Sequence, residues 1–334
     1  MNILKSKILI LGGNSYIGQA IFQYFIGEVD FELFSYSRTW NDYINELKIK
    51  QINGSISDRQ VINDLVSIEP HTIINLISLN HLDSELDLKL TIQSNIYPIW
   101  KILFNNEFKV LQQVIYLSTI HVYDQKKNER IDENHLPIPE NIYGLTHLIS
   151  EEINSFYGNK NSYKAFNIRL SNTFGYSNLD FEKGKGWEYV INNLVKQAIL
   201  SRKIIINSNG LPSRDFISLD LLPTILSKII KSDVLNSGTY NLSKSKNYSI
   251  IQIARLIKEI FYHEYNQEIQ IYINKTQKVD MKMLESLTNS TEPYPVFSNK
   301  KLMNDLALEL SDDIHQELKR FIEKLIEGAN ENRN

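Results

Sequence analysis

An apolar run ending in a glycine-rich turn stands near the start of the chain. It reads Ile8-Leu-Ile-Leu11, then Gly12-Gly-Asn-Ser-Tyr-Ile-Gly18, with further apolar residues at Ala20, Ile21, Tyr24 and Phe25. The run predicts a buried strand, and the later spacing predicts one face of an amphipathic helix. The turn therefore delivers a strand into a helix N-terminus, whose free N–H groups suit a pyrophosphate. A strand, a tight glycine-rich turn and a helix in this order open a dinucleotide-binding βαβ unit. Gly12, Ser15, Tyr16, Ile17 and Gly18 are its candidate contacts.

Strand and helix keep alternating downstream, as a parallel sheet requires. Phe31-Glu-Leu-Phe-Ser-Tyr-Ser37 is the second expected strand, ending at Ser37-Arg38 about 20 residues past Gly18, where an NAD site carries an acidic residue for the ribose. A serine and an arginine suit a 2′-phosphate instead, so NADP(H) is favoured, with NAD(H) as the alternative. Strands are expected at 47–52, leading to Gly54-Ser55-Ile56, and at 72–77. A helix over 87–104 should kink or break near Asn95, because Pro98 lacks an N–H and crowds the preceding turn. Val114-Ile-Tyr-Leu-Ser118 and Ala165-Phe-Asn-Ile-Arg-Leu170 are the fifth and sixth strands, and Tyr143 opens the helix between them. Ligands of open α/β sheets bind outside the carboxyl ends of the strands, which puts Ser118, Thr119 and His121 at the crevice.

Beyond residue 172 the alternation fails, and a glycine-containing loop runs to Gly186. Helices are expected at 189–201, 221–231, 249–262 and 312–326, with short strands at 204–206, 214–217 and 240–242, then a polar tail from 328. The fold class is thus α/β: a Rossmann-type doubly wound parallel sheet with a smaller, intertwined mixed α/β C-terminal lobe. Residues 1–172 are assigned to the sheet domain, with 214–240 returning to it, and 173–213 and 241–330 to the second lobe.

Composition excludes several classes of partner. A net charge of −3 without a basic stripe argues against nucleic acid. The chain has no cysteine, and its seven histidines show no metal-binding spacing, so neither a disulfide framework nor a metal is expected. No apolar run reaches the roughly 20 residues that span a bilayer, and the N-terminus lacks a signal-peptide pattern, so no membrane role and a cytoplasmic location are expected.

Seven short motifs now stand in order: the Gly12 to Gly18 turn, Asn75-Leu-Ile-Ser78, Asn95, Ser118-Thr-Ile-His-Val-Tyr123, Tyr143-Gly-Leu-Thr-His-Leu-Ile-Ser-Glu151, Arg169-Leu-Ser-Asn172 and Arg214-Asp-Phe-Ile-Ser-Leu-Asp220. Together they resemble the extended short-chain dehydrogenases/reductases, specifically the NAD-dependent epimerase/dehydratase family acting on nucleotide sugars. The resemblance implies that Thr119 holds the reacting sugar oxygen and Tyr143 exchanges its proton. It implies cofactor contacts at Ser37, Arg38, Ser55, Ile56, Leu76, Ile77, Ser78, Asn95, Tyr143 and His147. Thr119, Asn172, Tyr189 and Arg214 are implied substrate contacts, the second lobe is implied to bind the nucleotide sugar, and a homodimer is implied through the 87–104 and Tyr143 helices.

Three departures carry information. Ser15 replaces the middle glycine of the turn, leaving less room for phosphate to approach the backbone. Ile120 stands where the 4,6-dehydratases of this family carry an acid, which argues against dehydration. His147 stands where the family has lysine, four residues after the tyrosine. Histidine has an ordinary pKa of about 6.5 and is mostly neutral at pH 7, so it supplies little field to lower the pKa of Tyr143. A tyrosine that keeps its proton suits reduction of a ketone better than oxidation of a hydroxyl.

The favoured activity is therefore NADPH-dependent reduction of a nucleotide-linked 4-keto deoxysugar, with His121 placed to assist an epimerisation. The alternatives are a nucleotide-sugar epimerase with tightly bound NAD and a non-catalytic cofactor-binding sensor.

Overall fold

A computed structural model describes residues 5–104, 107–125, 129–175, 186–290, 292–310 and 313–331. Most of the loop expected between residues 172 and 186, and the last residues of the expected tail, lie outside them. Seven parallel strands form the central sheet, in the order Gly238–Leu242, Lys164–Leu170, Gln113–Thr119, Thr72–Asn75, Ser6–Leu11, Phe31–Ser37, Lys50–Asn53. Strand order reverses direction beside Ser6–Leu11, which is the switch point at which such sheets bind ligands. The glycine-rich turn leaves that strand's carboxyl end.

The strands read as apolar runs because both faces are covered by helices. Ile8, Leu9 and Ile10 are fully buried, with Ile8 and Ile10 in one hydrophobic cluster and Leu9 in another on the opposite face. Helix Leu221–Lys231 packs against helix Tyr16–Phe25, and Glu28 joins them by accepting from Ser227 and Lys231. Gly238–Leu242, which sequence spacing groups with irregular elements, is the parallel edge strand beside Lys164–Leu170.

Small sheets stand outside the central one. Asn172–Phe174, Ser213–Ser218 and Asn247–Ser249 form one, and Lys203–Ile205, Gln270–Ile273 and Gln277–Val279 another. The Gln270–Val279 hairpin and helix Met281–Thr288 escape the sequence reading, since both are short and only partly apolar. The last helix extends to Glu331, past the point where the polar tail was expected to begin.

The expected break before Pro98 is a π-helical turn, Ile92–Ile96, between helices Leu88–Thr91 and Tyr97–Phe104. Proline cannot donate to the carbonyl four residues back and collides with it, and a widened turn relieves both problems. It also swings Asn95 inward.

Candidate active site

The two carboxyl-end loops at the switch point and the start of the Tyr143 helix enclose a cavity of about 640 Å³. Its walls include Ser15, Tyr16, Ile17, Leu76, Ser78, Thr119, His121, Tyr143, His147, Asn172 and Tyr189, eleven residues singled out from sequence. Among the described residues no group of three or more His, Asp or Glu side chains could hold a metal ion. No helix among them is long and apolar enough to cross a membrane.

On the side of the first strand, Gly12 has φ of +84°, and a Cβ there would lie 3.3 Å from the Ile77 nitrogen, so only glycine lets the two loops meet this closely. Ser15 needs no such freedom. Its backbone is extended, at φ −71° and ψ 161°, and its Oγ accepts the Gly18 N–H at 3.0 Å as the helix N-cap. The serine thus closes the helix start while still lining the cavity. Tyr16 turns its ring inward, stacks on Tyr189 at 5.0 Å, and its hydroxyl donates to Gly175 O at 2.7 Å while accepting from Asn192 at 2.8 Å. That buried knot ties the glycine-rich turn to the second lobe.

Further out, Ser37 Oγ accepts the Asn14 N–H at 3.0 Å, and Asn53 donates to the Ser37 and Thr39 carbonyls. Arg38 between them is exposed, with no hydrogen bond or ion pair to a described residue. The loop after Lys50–Asn53 presents Ser55 at the surface and buries Ile56, and Tyr36 donates to Gly54 O at 3.0 Å beneath it. Asn95, expected beside a cofactor, is buried with both ends of its amide engaged by protein. It accepts the Leu79 N–H at 2.7 Å and donates to Thr146 Oγ1 at 2.9 Å. It reaches the site by clamping the 76–79 loop to the Tyr143 helix.

Thr119 ends the Gln113–Thr119 strand and caps the turn Ile120–Val122, accepting the His121 N–H at 3.2 Å. The Tyr143 helix, Ile142–Asn161, comes down on that turn so closely that a Cβ on Gly144 would lie 2.2 Å from His121 O. This contact is why Thr119, His121 and Tyr143 meet. Burial pushes the Tyr143 phenol up to about 12, and its hydrogen bond with Thr119 works the other way.

The tyrosine sits in an aromatic corner, with ring centroids 4.5 Å from His147, 5.6 Å from His121 and 5.9 Å from His81. Neither His121 nor His147 is charged at neutral pH. Burial, then neighbouring His121, holds His147 down at about 3, and burial, then His81 and Arg214, holds His121 at about 4. Behind this corner Glu151 accepts from Ser118 at 2.5 Å and from Arg169 at 2.7 Å, and Arg169 donates to Tyr123 at 2.7 Å. The buried ion pair anchors the strand end carrying Thr119.

Of the expected substrate contacts, Asn172 donates to Asp215 O at 3.1 Å and Tyr189 caps the helix Val190–Ser201 from the cavity wall. Arg214 stands back from the wall, its guanidinium 4.8 Å above the Tyr294 ring and donating to Ser213 O at 2.7 Å.

His81 was missed from sequence, as were Asn80, Asp83 and Glu188 on the same wall. Asn80 caps the short helix His81–Leu86 and so aims His81 at Tyr143. An Asn three residues ahead of an Asp is a capping pattern that could have revealed the helix, but nothing in the sequence shows that this helix faces residue 143.

A comparison with protein families matches residues 8–243 to the NAD dependent epimerase/dehydratase family. The chain is 22% identical over 269 residues to the GDP-6-deoxy-D-talose 4-dehydrogenase of Aggregatibacter actinomycetemcomitans, covering 77% of this chain and 81% of that one. It is 22% identical over 326 residues to a putative UDP-glucose 4-epimerase of Methanocaldococcus jannaschii, covering 94% and 97%. Among solved structures, the UDP-glucuronic acid 4-epimerase of Bacillus cereus in complex with UDP-glucuronic acid and NAD superposes with a TM-score of 0.77 at 18% identity, covering 96% of this chain and 99% of that one. With the sheet order and the Thr119/Tyr143 pair, these matches establish that the chain belongs to the NAD dependent epimerase/dehydratase family of extended short-chain dehydrogenases/reductases.

Proposed function

We propose that this protein reduces a nucleotide-linked 4-keto deoxysugar with NADPH. The observation that carries the reading is the state of the Tyr143 corner: a phenol pushed up to about 12 beside an imidazole held down at about 3, with no cation among the described residues of the ring cluster. Such a tyrosine holds its proton until something strongly basic asks for it. The alkoxide formed when hydride reaches a ketone carbon is such a base, whereas a neutral sugar hydroxyl needs a tyrosinate to take its proton. The hydroxyl of Thr119 would hold the same oxygen as it takes the Tyr143 proton.

The residues present fit a dinucleotide. The Gly12 turn allows close approach, the capped helix start lies at the cavity edge, and His147 keeps a buried Nε2 without a partner among the described residues. A bound nicotinamide would supply the hydride. Arg38, exposed and with no ion pair to a described residue, supports a 2′-phosphate and hence NADP(H). A first relative named as a 4-dehydrogenase of a GDP-6-deoxysugar supports redox chemistry at C4, since the two activities are one reaction run in opposite directions.

The sheet domain would carry the cofactor, and the second lobe, through Asn172, Tyr189 and Arg214, the nucleotide sugar. His121 is a weaker base than free imidazole, so epimerisation is the minor branch. The exposed apolar residues Trp100, Phe104, Leu145, Ile149 and Phe156 on two adjoining helices support a homodimer.

The test is purified protein with 4-keto-6-deoxy nucleotide sugars. NADPH should be oxidised, and Tyr143→Phe should lose about 10²–10⁴-fold in rate while still binding the cofactor. No turnover across donors with different nucleotides would sink the proposal. The second reading, an epimerase with bound NAD, is favoured by the NAD in the similar solved structure. Cofactor that copurifies oxidised and is not consumed during turnover would select it.

A further inference from the structure

His147 lines the cavity, yet only one of its ring nitrogens has a partner. Nδ1 lies 2.8 Å from the hydroxyl of Tyr116, a fully buried residue on the strand Gln113–Thr119, and Nε2 is buried with no partner among the described residues. A neutral imidazole carries one proton, so the contact with Tyr116 decides whether Nε2 offers a hydrogen or a lone pair.

Among the described residues the Tyr116 hydroxyl has one hydrogen-bond partner in reach, Nδ1 of His147. The nearby Ser150 hydroxyl directs its proton to the Asn95 and Thr146 carbonyls at 3.0 and 2.9 Å. An imidazole nitrogen is a much better acceptor than a serine hydroxyl, and a phenol is a better donor than a neutral imidazole N–H. The strong pairing is Tyr116 O–H to Nδ1. The reverse pairing would set a weak donor against a weak acceptor in a buried site where no water offsets the loss.

We propose that Tyr116 is a positioning residue that fixes His147 as its Nε2–H tautomer, so that a neutral N–H donor serves the cavity at the position where relatives carry an ammonium. Its partner would be a hydroxyl oxygen of the ligand, and for a dinucleotide a ribose hydroxyl, which rests on the cofactor assignment above. The arrangement keeps the hydrogen bond of a lysine and discards its charge. Tyr143 is then left without the field that would draw off its proton.

Nitrogen NMR reads the tautomer without cofactor or turnover. In ¹⁵N-histidine-labelled full-length protein at neutral pH, with His147 assigned by its loss in His147→Asn, the expected spectrum has a protonated Nε2 and an unprotonated Nδ1. A protonated Nδ1, a doubly protonated ring or an even mixture of tautomers overturns the proposal. Tyr116→Phe should convert the single tautomer into a mixture and weaken dinucleotide binding about fivefold, the loss of one ordinary hydrogen bond. An unchanged tautomer in that variant also overturns it. Should Tyr116→Phe fail to fold, the wild-type spectrum decides alone. An Nε2–H ring in a protein that binds no dinucleotide would refute the proposed function and leave the tautomer assignment standing.

Discussion

A single exchange, histidine at position 147, changes what Tyr143 can do. Lysine brings a permanent charge that favours the phenolate, and a buried imidazole held at about 3 does not. His147→Lys should therefore shift the basic limb of the pH–rate profile for reduction to lower pH and raise oxidation relative to reduction. Equal ratios in the two proteins, measured in both directions with one substrate pair, would refute the directional argument. Arg38 is the second discriminating residue. Being exposed and without an ion pair to a described residue, it can be removed at little structural cost, so Arg38→Ala should weaken NADPH binding about tenfold, the loss of one charge-assisted contact, and leave NADH binding unchanged. Equal losses for both cofactors, read by titration, would remove the case for a 2′-phosphate site.

Among the elements, helices Tyr97–Phe104 and Ile142–Asn161 do two jobs. On the inner side the second helix carries Thr146, which Asn95 of the preceding π-helical turn clamps, and the Tyr143 corner, and the outer faces of both leave Trp100, Phe104 and Phe156 exposed at 37%, 55% and 60%. The rings of Trp100 and Phe104 lie tilted against each other, 5.1 Å apart, in one apolar ridge. Exposed apolar residues of this kind support the proposed homodimer. Trp100→Glu with Phe156→Glu should yield monomers in sedimentation experiments while the circular dichroism spectrum stays native, and an unchanged mass would place any interface elsewhere. The π-helical turn shows what sequence can and cannot reveal here. Pro98 announced a break, but the break's conversion into an inward-facing Asn95 depended on the loop and helix packed against it.

Across the molecule, buried titrating groups set the response to acid. His147 and His121, held at about 3 and 4, stay neutral in the fold while the unfolded chain takes up protons below about 6.5. Their contribution is intact above pH 6.5 and is lost progressively as pH falls toward 4 and 3. Asp215 runs the other way. Burial, opposed by hydrogen bonds from Ser171 and the Lys244 and Lys246 amides, pushes it up to about 6, so its contribution is full below about 3.8 and is lost as pH rises through 6. With two groups against one, thermal stability should decline from pH 6.5 to 4.5, and His121→Gln should flatten the decline. An identical slope in that variant, followed by thermal melts across pH, would show that His121 is not buried neutral.

Strand, turn and helix alternation and the parallel sheet were legible in the chain because they rest on local pattern, apolar runs and glycines at a tight turn, whereas the Thr119/Tyr143 pair was legible through the family resemblance of the motifs that carry it. Closer to the chemistry that legibility ends. His81 reaches Tyr143 from a separate loop, Tyr116 meets His147 across 31 positions, and Asn192 bonds Tyr16 across 176. No periodicity encodes those meetings, since each depends on how packed elements bring distant side chains together. The sequence alone therefore predicted a tyrosine beside a histidine in place of a lysine. That the histidine is buried, held far below its ordinary pKa and bonded by a second tyrosine follows only from packing, because desolvation and hydrogen-bond geometry belong to the folded surroundings of a side chain.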